Sequence, residues 1–339
     1  MSLNVPPSKP PSAGRTISLV WVVVIALVVG GAAVAGTAVY FIAHSSSQTP
    51  GTLRITDDLG RTVTVPHAPA RLAVLSPSIM DIVYRLGLRS HVVAVDCYAN
   101  LGASTGLSED YSPDQIARWN LSSSMCVQVG PTFVPEMLVN LTPQLVLAST
   151  IVSVSAVEEI SNQLHVPVVM LQPPTLSGIL YDDALVGEIF GVNSSATTLN
   201  AQLSAGLFNA TNISGSAFSF PTVLVTYSVD SGGYWTFGPG TFGLSLIEIS
   251  GATSISATAT TPYPELSSAQ VLLDNPQFII YGTGFGLNES TFAGGPDWSQ
   301  FAAVQAGNVS GINSNWLTEP DPTMILEGIP TLDALFHPA

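Results

Sequence analysis

Five histidines carry the side chains best suited to proton transfer or metal binding, yet none has a catalytic or ligand spacing. They are His44, His67, His91, His165 and His337, and no two of them form a His-x-x-x-His pair. The chain has no Gly-x-Ser-x-Gly and no Walker motif, and the GTGFG of residues 282–286 is not followed by a helical pattern. We therefore expect no catalytic centre, metal site or cofactor, and we do not expect an enzyme.

Aromatic side chains in loops that follow strands are the more distinctive chemical feature. They are Tyr98, Phe133, Tyr234, Trp235 and Trp316, together with Phe237 and Trp298. Each ring alone has a plain alternative role as a hydrophobic cap over its own domain. Taken together, rings at strand ends in both halves of the chain favour a cleft for a large, flat, mostly uncharged ligand.

A short turn, Ser76-Pro77-Ser78, lies between an apolar strand pattern and an apolar-periodic helix that ends at Gly87. Ser78 precedes Asp81 by three residues, which is the spacing of a capping box. Because the turn follows a strand, its serines also face any cleft at the carboxyl ends of the sheet. We expect capping, with ligand contact as the alternative.

The chain has two cysteines, Cys97 and Cys126, which bracket a loop rich in Ser, Gly and Asn. In an oxidising compartment such a pair is expected to form a disulfide. Closing a loop of this length contributes roughly 3 kcal/mol in the chain-entropy model. A metal site is the weaker alternative, since no histidine lies between them.

The N-terminal part contains an uncharged apolar run over residues 17–43. About 20 apolar residues suffice to cross a bilayer, so we expect a transmembrane anchor, with a cleaved signal peptide as the alternative. Lys9 and Arg15 precede the run, which places residues 1–16 in the cytoplasm by the positive-inside rule. Residues 44–52 are then a linker, and the rest of this single-pass protein is expected outside the cell.

The composition bears on partners and compartment. A formal net charge of −15 opposes binding to nucleic acid and to anionic lipid. Only 9% of residues are charged, which would suit an acidic exterior. Seven sequons would be open to glycosylation on the outer side of a membrane, at Asn120, Asn140, Asn193, Asn209, Asn212, Asn288 and Asn308.

Strand and helix patterns alternate along the rest of the chain, which indicates an α/β fold with mainly parallel sheets. Segments 136–149 and 269–282 share a helix, a proline turn and a buried strand, which indicates two similar lobes. We expect an N-terminal ligand-binding lobe over residues 53–176 and a C-terminal one over 213–339. A continuous helical pattern predicts one long backbone helix over 177–212 between them.

Together these segments resemble the substrate-binding proteins of ABC importers for cobalamin and ferric siderophores. The segments that carry the resemblance are ITDDLGRTVTVPHAPARLAVLSPSIMDIVYRLGL, VVAVD, PEMLVNLTPQLVLAS, YPELSSAQVLLDNPQFIIYG and PDPTMILEGIPTLDALF. The resemblance covers nearly the whole chain after residue 50. It implies two α/β lobes joined by a backbone helix, a small-molecule ligand between them, and delivery to an ABC permease and its ATPase. We expect a monomer when the protein is free.

In this family a glutamate on each lobe docks on the permease. Glu136 fits the first position, where the alternative role is a favourable charge at a helix N-terminus. The equivalent position in the second lobe is Ala269, and Glu265, four residues earlier, is the expected substitute.

The arginines decide between ligands of this class. The part of the chain after the expected membrane span has six, Arg54, Arg61, Arg71, Arg85, Arg89 and Arg118, and the second lobe has none. An anionic siderophore needs arginines, whereas a corrinoid is nearly neutral. The resemblance therefore favours a cobalamin-like corrinoid, contacted by Tyr98, Phe133, Tyr234, Trp235 and Trp316 with Asn315 as an amide partner. The alternatives are a neutral ferric siderophore or haem and, in another class, a surface-anchored structural or adhesion domain without a small ligand.

Overall fold

The computed structural model describes residues 51–98, 111, 113–129, 135–150, 152–173, 175–216, 220–283 and 287–337. The predicted cytoplasmic tail, the predicted membrane anchor at 17–43 and nearly all of the predicted linker lie outside these residues. Within the described part of the chain, no helix is long and apolar enough to cross a membrane.

The first lobe is a parallel five-stranded sheet preceded by a β-hairpin. The hairpin strands are β1 (Thr52–Thr56) and β2 (Thr62–Pro66), and the sheet strands are β3 (Leu72–Leu75), β4 (Val92–Tyr98), β5 (Cys126–Val129), β6 (Leu145–Ala148) and β7 (Val168–Met170). Their order across the sheet is β5-β4-β3-β6-β7, with every pairing parallel. All residues of β3 and β6 are buried because helices cover both faces of the sheet.

The helices of the first lobe follow the strands in alternation. They are α1 (Pro77–Arg85), α2 (Pro113–Arg118) and α3 (Val154–Glu159), with short helical turns at Arg89–His91, Ser123–Met125, Pro135–Leu141 and Ile160–Leu164.

The predicted disulfide is confirmed. Cys97 at the end of β4 is bonded to Cys126 at the start of β5, with 5.5 Å between their Cα atoms. The bond therefore joins two neighbouring parallel strands and closes the loop that follows β4.

The predicted single backbone helix is wrong, because two helices occupy that region. Helix α4 (Leu176–Phe190) ends at Gly191, whose left-handed φ of 70° ends the helix, and α5 (Asn193–Ser216) starts two residues later. The two pack as an antiparallel pair, since Asn200 Nδ2 on α5 donates to the Leu180 carbonyl on α4 at 2.7 Å. Helix α5 alone is the long connection to the second lobe.

The second lobe repeats the α/β arrangement with a mixed sheet. Its strands are β8 (Thr222–Val229), β9 (Tyr234–Thr236), β10 (Thr253–Ser254), β11 (Glu265–Leu266), β12 (Phe278–Thr283) and β13 (Val309–Asn313). Their order is β11-β9-β8-β12-β13, with β10 beside β8. Strands β8, β10, β12 and β13 run parallel, whereas β9 pairs antiparallel with both of its neighbours, β8 and β11.

The helices of the second lobe again lie between strands or follow them. They are α6 (Phe242–Ile249), α7 (Ser268–Asp274), α8 (Glu289–Ala293), α9 (Ala302–Gln305), α10 (Ser314–Thr318) and α11 (Ile329–Phe336), with helical turns at Trp298–Gln300 and Met324–Gly328. The prediction of two α/β lobes with mainly parallel strands is thus confirmed.

One hydrophobic core runs through both lobes. It includes Val74 of the first sheet, Leu203 of α5 and Val225 of the second sheet. At Gly206 of α5 a Cβ atom would lie 3.2 Å from the Ile325 side chain, so the C-terminal segment packs closely on this helix. This shared core fixes the lobes around α5 and positions the carboxyl ends of the strands.

Candidate ligand-binding site

The carboxyl end of the first sheet faces the second lobe. The Ser76 hydroxyl, directly after β3, donates to Glu319 Oε2 of the second lobe at 3.3 Å. Ligands of open α/β sheets bind at the carboxyl ends of the strands. The region bordered by these two residues and by the ends of β4, β8, β12 and β13 is therefore the candidate site, here named the cleft.

The turn Ser76-Pro77-Ser78 binds the carboxylate of Glu319, a residue of the protein itself. Helix α1 begins at Pro77 and has no side-chain capping bond from its N-cap Ser76, so the predicted Ser78–Asp81 capping box is wrong. Glu319 instead accepts hydrogen bonds from the Ser76 and Ser78 side chains and from the Ser78 backbone. A negative charge is favourable at this helix end. Burial raises the pKa of Glu319, and the bonds from the two serines oppose that rise.

Tyr234 and Trp235 point to opposite faces of β9. Tyr234 is fully buried, donates its hydroxyl to the Pro296 carbonyl at 2.9 Å and packs against Trp298 and Phe301. Trp235 is half-buried, and its indole Nε1 donates to Asp230 Oδ2 at 3.0 Å. The pair therefore divides into a core ring, Tyr234, and a ring held at the surface, Trp235.

Glu265 lies next to Trp235. Strands β11 and β9 pair Glu265 with Trp235, and Asp230 lies beside both. Hydrogen bonds from the Trp235 indole and the Gly232 backbone lower the pKa of Asp230, whereas desolvation and the nearby Asp230 raise the pKa of the exposed Glu265. Glu265, the predicted docking residue, is thus a neighbour of Trp235, a predicted ligand-binding residue.

Two tyrosines that the sequence analysis did not single out, Tyr227 and Tyr263, lie near the end of β9. Tyr227 near the end of β8 has its ring 4.9 Å from that of Phe237 and 6.2 Å from that of Tyr263. Tyr263 is 56% exposed, while Phe237 is buried. The sequence signal for Tyr227 was its position near the end of the strand TVLVTYSV, which is the criterion that selected the other rings.

The remaining predicted contacts have different surroundings. Asn315 on α10 is 6% exposed, and Trp316 is half-buried with its ring over Gly328, where a Cβ atom would lie 3.5 Å away. Tyr98 is the last residue of β4 and therefore lies at the carboxyl end of the first sheet, beside the cleft; only its backbone is described. Phe133 lies outside the described residues.

Five of the six outer arginines bind the scaffold. Arg61, Arg85 and Arg118 form salt bridges with Asp57, Asp81 and Asp114, Arg71 donates to the carbonyls of Leu141 and Thr142, and Arg89 donates to those of Trp119 and Asn120. The sixth, Arg54, is exposed on the β1–β2 hairpin. The positive charge of the chain is therefore used mainly to connect its own elements.

Two histidines also bind backbone groups. His91 Nδ1 lies 2.8 Å from the Pro69 carbonyl and His337 Nε2 lies 3.0 Å from the Gly251 carbonyl. These contacts tie loops to neighbouring elements.

Glu136 is exposed at the start of the helical turn Pro135–Leu141. The corresponding position of the second lobe is the exposed Ala269 on α7. Each position is followed within four residues by an exposed apolar side chain: Val139, which is 49% exposed, and Leu273, which is 78% exposed.

Comparison with known proteins agrees with this architecture. A family model described as periplasmic binding protein matches residues 72–315. The cobalamin-binding protein of Halobacterium salinarum is 25% identical over 284 residues, which cover 81% of this chain and 71% of the relative.

Solved structures share the fold across both lobes. The periplasmic vitamin B12-binding protein of Vibrio cholerae has a TM-score of 0.60 at 22% identity, covering 80% of this chain and 98% of that chain. The periplasmic haem-binding protein of Roseiflexus sp. RS-1 has a TM-score of 0.63 at 18% identity, covering 79% and 99%. Since the family model matches most of the chain, the protein belongs to the periplasmic binding protein family, the substrate-binding proteins of ABC importers.

Proposed function

We propose that this protein captures a corrinoid of the cobalamin type in the cleft and delivers it to an ABC permease. The observation that carries the proposal is the use of the arginines. Five of the six outer ones are bonded to the scaffold, and the second lobe has neither arginine nor lysine. An anionic ligand would therefore find little positive charge in the cleft, whereas a bulky and nearly neutral one needs none.

The second lobe supplies the contacts that such a ligand uses. The rings of Tyr227 and Tyr263 pack together near the end of β8, and Trp235 lies on the neighbouring strand β9; all three side chains are at least partly exposed. Aromatic faces bind flat macrocycles through apolar area and stacking. Tyr98, Phe133, Asn315 and Trp316 are proposed as further contacts, and Tyr234 supports Trp235 from the core side of β9.

A neutral ferric siderophore or haem is the second candidate. The same aromatic surface favours either of these ligands, and the lack of positive charge favours the neutral siderophore of the two. The haem-binding relative of Roseiflexus has this fold as well.

Placement in the cell is part of the proposal. Residues 17–43 anchor the protein, residues 1–16 remain in the cytoplasm, and the two lobes work outside the cell. The permease contacts Glu136 on the first lobe and Glu265 on the second.

The deciding experiment is a ligand panel on the full-length chain. Purified protein is mixed with cobalamin, cobinamide, a neutral hydroxamate siderophore complex or haem, and binding is measured by calorimetry and by co-elution of visible absorbance. We expect cobalamin or cobinamide to bind most tightly, and to raise stability by about 2.7 kcal/mol at about 100 times its dissociation constant. Preference for the siderophore or haem would reassign the ligand, and retention of none of the four would favour a structural domain.

A further inference from the structure

The first lobe and the C-terminal segment meet at a group of buried acids, here called the acid cluster. It consists of Asp81 on α1, Asp183 on α4, and Glu319 and Asp321 in the segment that follows α10. Asp81, Asp183 and Asp321 are 1%, 0% and 3% exposed, and Glu319 is half-buried. Four carboxyl groups from two lobes are thus confined to one junction.

Asp81 anchors the C-terminal segment directly. Its Oδ2 atom accepts from the Thr323 backbone N–H at 3.0 Å, from the Thr323 hydroxyl at 2.9 Å and from Arg85 Nε at 2.8 Å. Arg85 Nη2 in turn donates to Thr323 Oγ1 at 2.8 Å. The bonds to Thr323 join residues more than 230 positions apart in the sequence.

Glu319 and Asp321 make the other contacts of the junction. Glu319 lies at the N-terminus of α1 through its bonds with Ser76 and Ser78, and Asp321 Oδ1 accepts from the Met324 N–H at 2.7 Å. The C-terminal segment is therefore held to α1 at both ends of that helix.

The charges in this junction do not balance if every acid is ionised. Arg85 is the cation that faces the acid cluster, and it also lies 3.5 Å from Glu327 Oε1 on the helical turn Met324–Gly328. No described residue donates a hydrogen bond to either oxygen of Asp183. Helix α5 contributes only hydroxyl, amide and apolar side chains at the adjoining cavity. An ionised and unpaired carboxylate in such surroundings is very costly.

Burial raises the pKa of both Asp183 and Asp321 well above the ordinary value, and the charge of Asp81 adds to each rise. An acid whose pKa is raised by folding contributes stability that is complete below its ordinary pKa. That stability is lost as the pH rises through the raised value. Both groups therefore act in the same direction, towards a tighter junction in acid.

We propose that the acid cluster is a proton-dependent latch between the first lobe and the C-terminal segment. With protons on Asp183 and Asp321, Asp81 remains paired with Arg85 and holds Thr323. When those protons leave, two further negative charges face the same guanidinium and the segment loosens from α1. A cavity of 410 Å³ beside Arg85, lined also by Ser195, Thr198 and Gln202, gives solvent and protons a route to the edge of the cluster.

The latch is tested without ligand, by hydrogen–deuterium exchange of the full-length chain between about pH 4 and about pH 8. Exchange over residues 319–328 is corrected for the intrinsic pH dependence of amide exchange. We expect protection of this segment to fall about tenfold or more as the pH rises, since one pKa unit corresponds to a tenfold change. A protection profile that does not vary with pH would overturn the proposal.

Variants test whether the pH dependence comes from the acid cluster itself or from any buried acid. Asp183→Asn keeps the shape of the neutral acid and should retain protection at high pH, and Asp321→Asn provides a second test if the first variant folds poorly. Asp182→Asn is the matched control, because Asp182 is equally buried on α4 but lies beside Asp58 within the first lobe. It should leave the pH profile of residues 319–328 as in the wild type. An unchanged slope in both Asp183→Asn and Asp321→Asn, or loss of the slope in Asp182→Asn, would contradict the latch.

Discussion

Trp235 and Tyr234 are adjacent in sequence but serve opposite faces of β9. Side chains alternate across a strand, so that one of two consecutive rings enters the core while the other remains accessible. Tyr234 fills the core between Trp298 and Phe301, and the bond to Asp230 fixes the orientation of the Trp235 indole. The residue proposed to contact ligand is therefore held in place before ligand arrives.

Trp235→Ala should weaken corrinoid binding by about tenfold, or about 1.4 kcal/mol, because it removes a stacking face from the cleft. The matched control is Phe208→Ala, since Phe208 is 61% exposed on α5 and takes no part in the proposed contacts. Calorimetric titration of both variants with cobinamide makes the comparison. Equal affinities of Trp235→Ala and the wild type would remove this residue from the site.

At the scale of elements, the division between α4 and α5 changes how the lobes are joined. Helix α4 packs on the first lobe, where the Tyr181 hydroxyl donates to the Thr56 carbonyl and the Ala68 N–H donates to the Ile189 carbonyl. Helix α5 contacts the C-terminal segment through Gly206 and Ile325. Only Gly191 and Val192 separate two segments that share one continuous helical pattern in the sequence, and a single left-handed residue has a weak sequence signal.

Gly191→Ala should destabilise the protein by about 1 kcal/mol, because a residue with a Cβ is strained at a φ of 70°. Gly294→Ala is the matched control, since Gly294 has a φ of −77° at the end of α8 and room for a methyl group. Chemical denaturation of the two variants gives the free energies of unfolding. A loss at Gly294 as large as that at Gly191 would show that the left-handed conformation is not the cause.

At the scale of the whole molecule, we propose that docking on the permease uses surfaces of both lobes. Glu136 and Ala269 occupy corresponding positions, but only the first carries a charge. Glu265, the expected substitute, lies beside Trp235 and Asp230. Docking on the second lobe is therefore expected to lie close to the proposed ligand-binding surface, whereas docking on the first lobe is proposed to depend on Glu136.

Glu136→Ala should lower uptake of labelled cobalamin severalfold in cells that contain the permease and ATPase, because one charged contact with the permease is lost. Binding of ligand by the purified variant should remain as in the wild type. Glu158→Ala, an exposed glutamate on α3 of the same lobe, controls for the loss of surface charge. Uptake that Glu136→Ala leaves unchanged would exclude this residue from docking.

The sequence by itself determined the α/β class, the two lobes and the family, because each depends on local periodicity or on the order of segments. It also predicted the disulfide, because the chain has only two cysteines. It also showed that the second lobe has neither arginine nor lysine, since residue types alone decide that. The tertiary structure decided which partners the polar groups take. Asp81 has the spacing of a cap but binds Arg85 and Thr323, and Glu319 lies at the helix end that Ser76 leaves uncapped. The contacts of Asp81 with Thr323 and of Ser76 with Glu319 join residues about 240 positions apart. A local sequence pattern cannot predict them, because only folding brings these residues together.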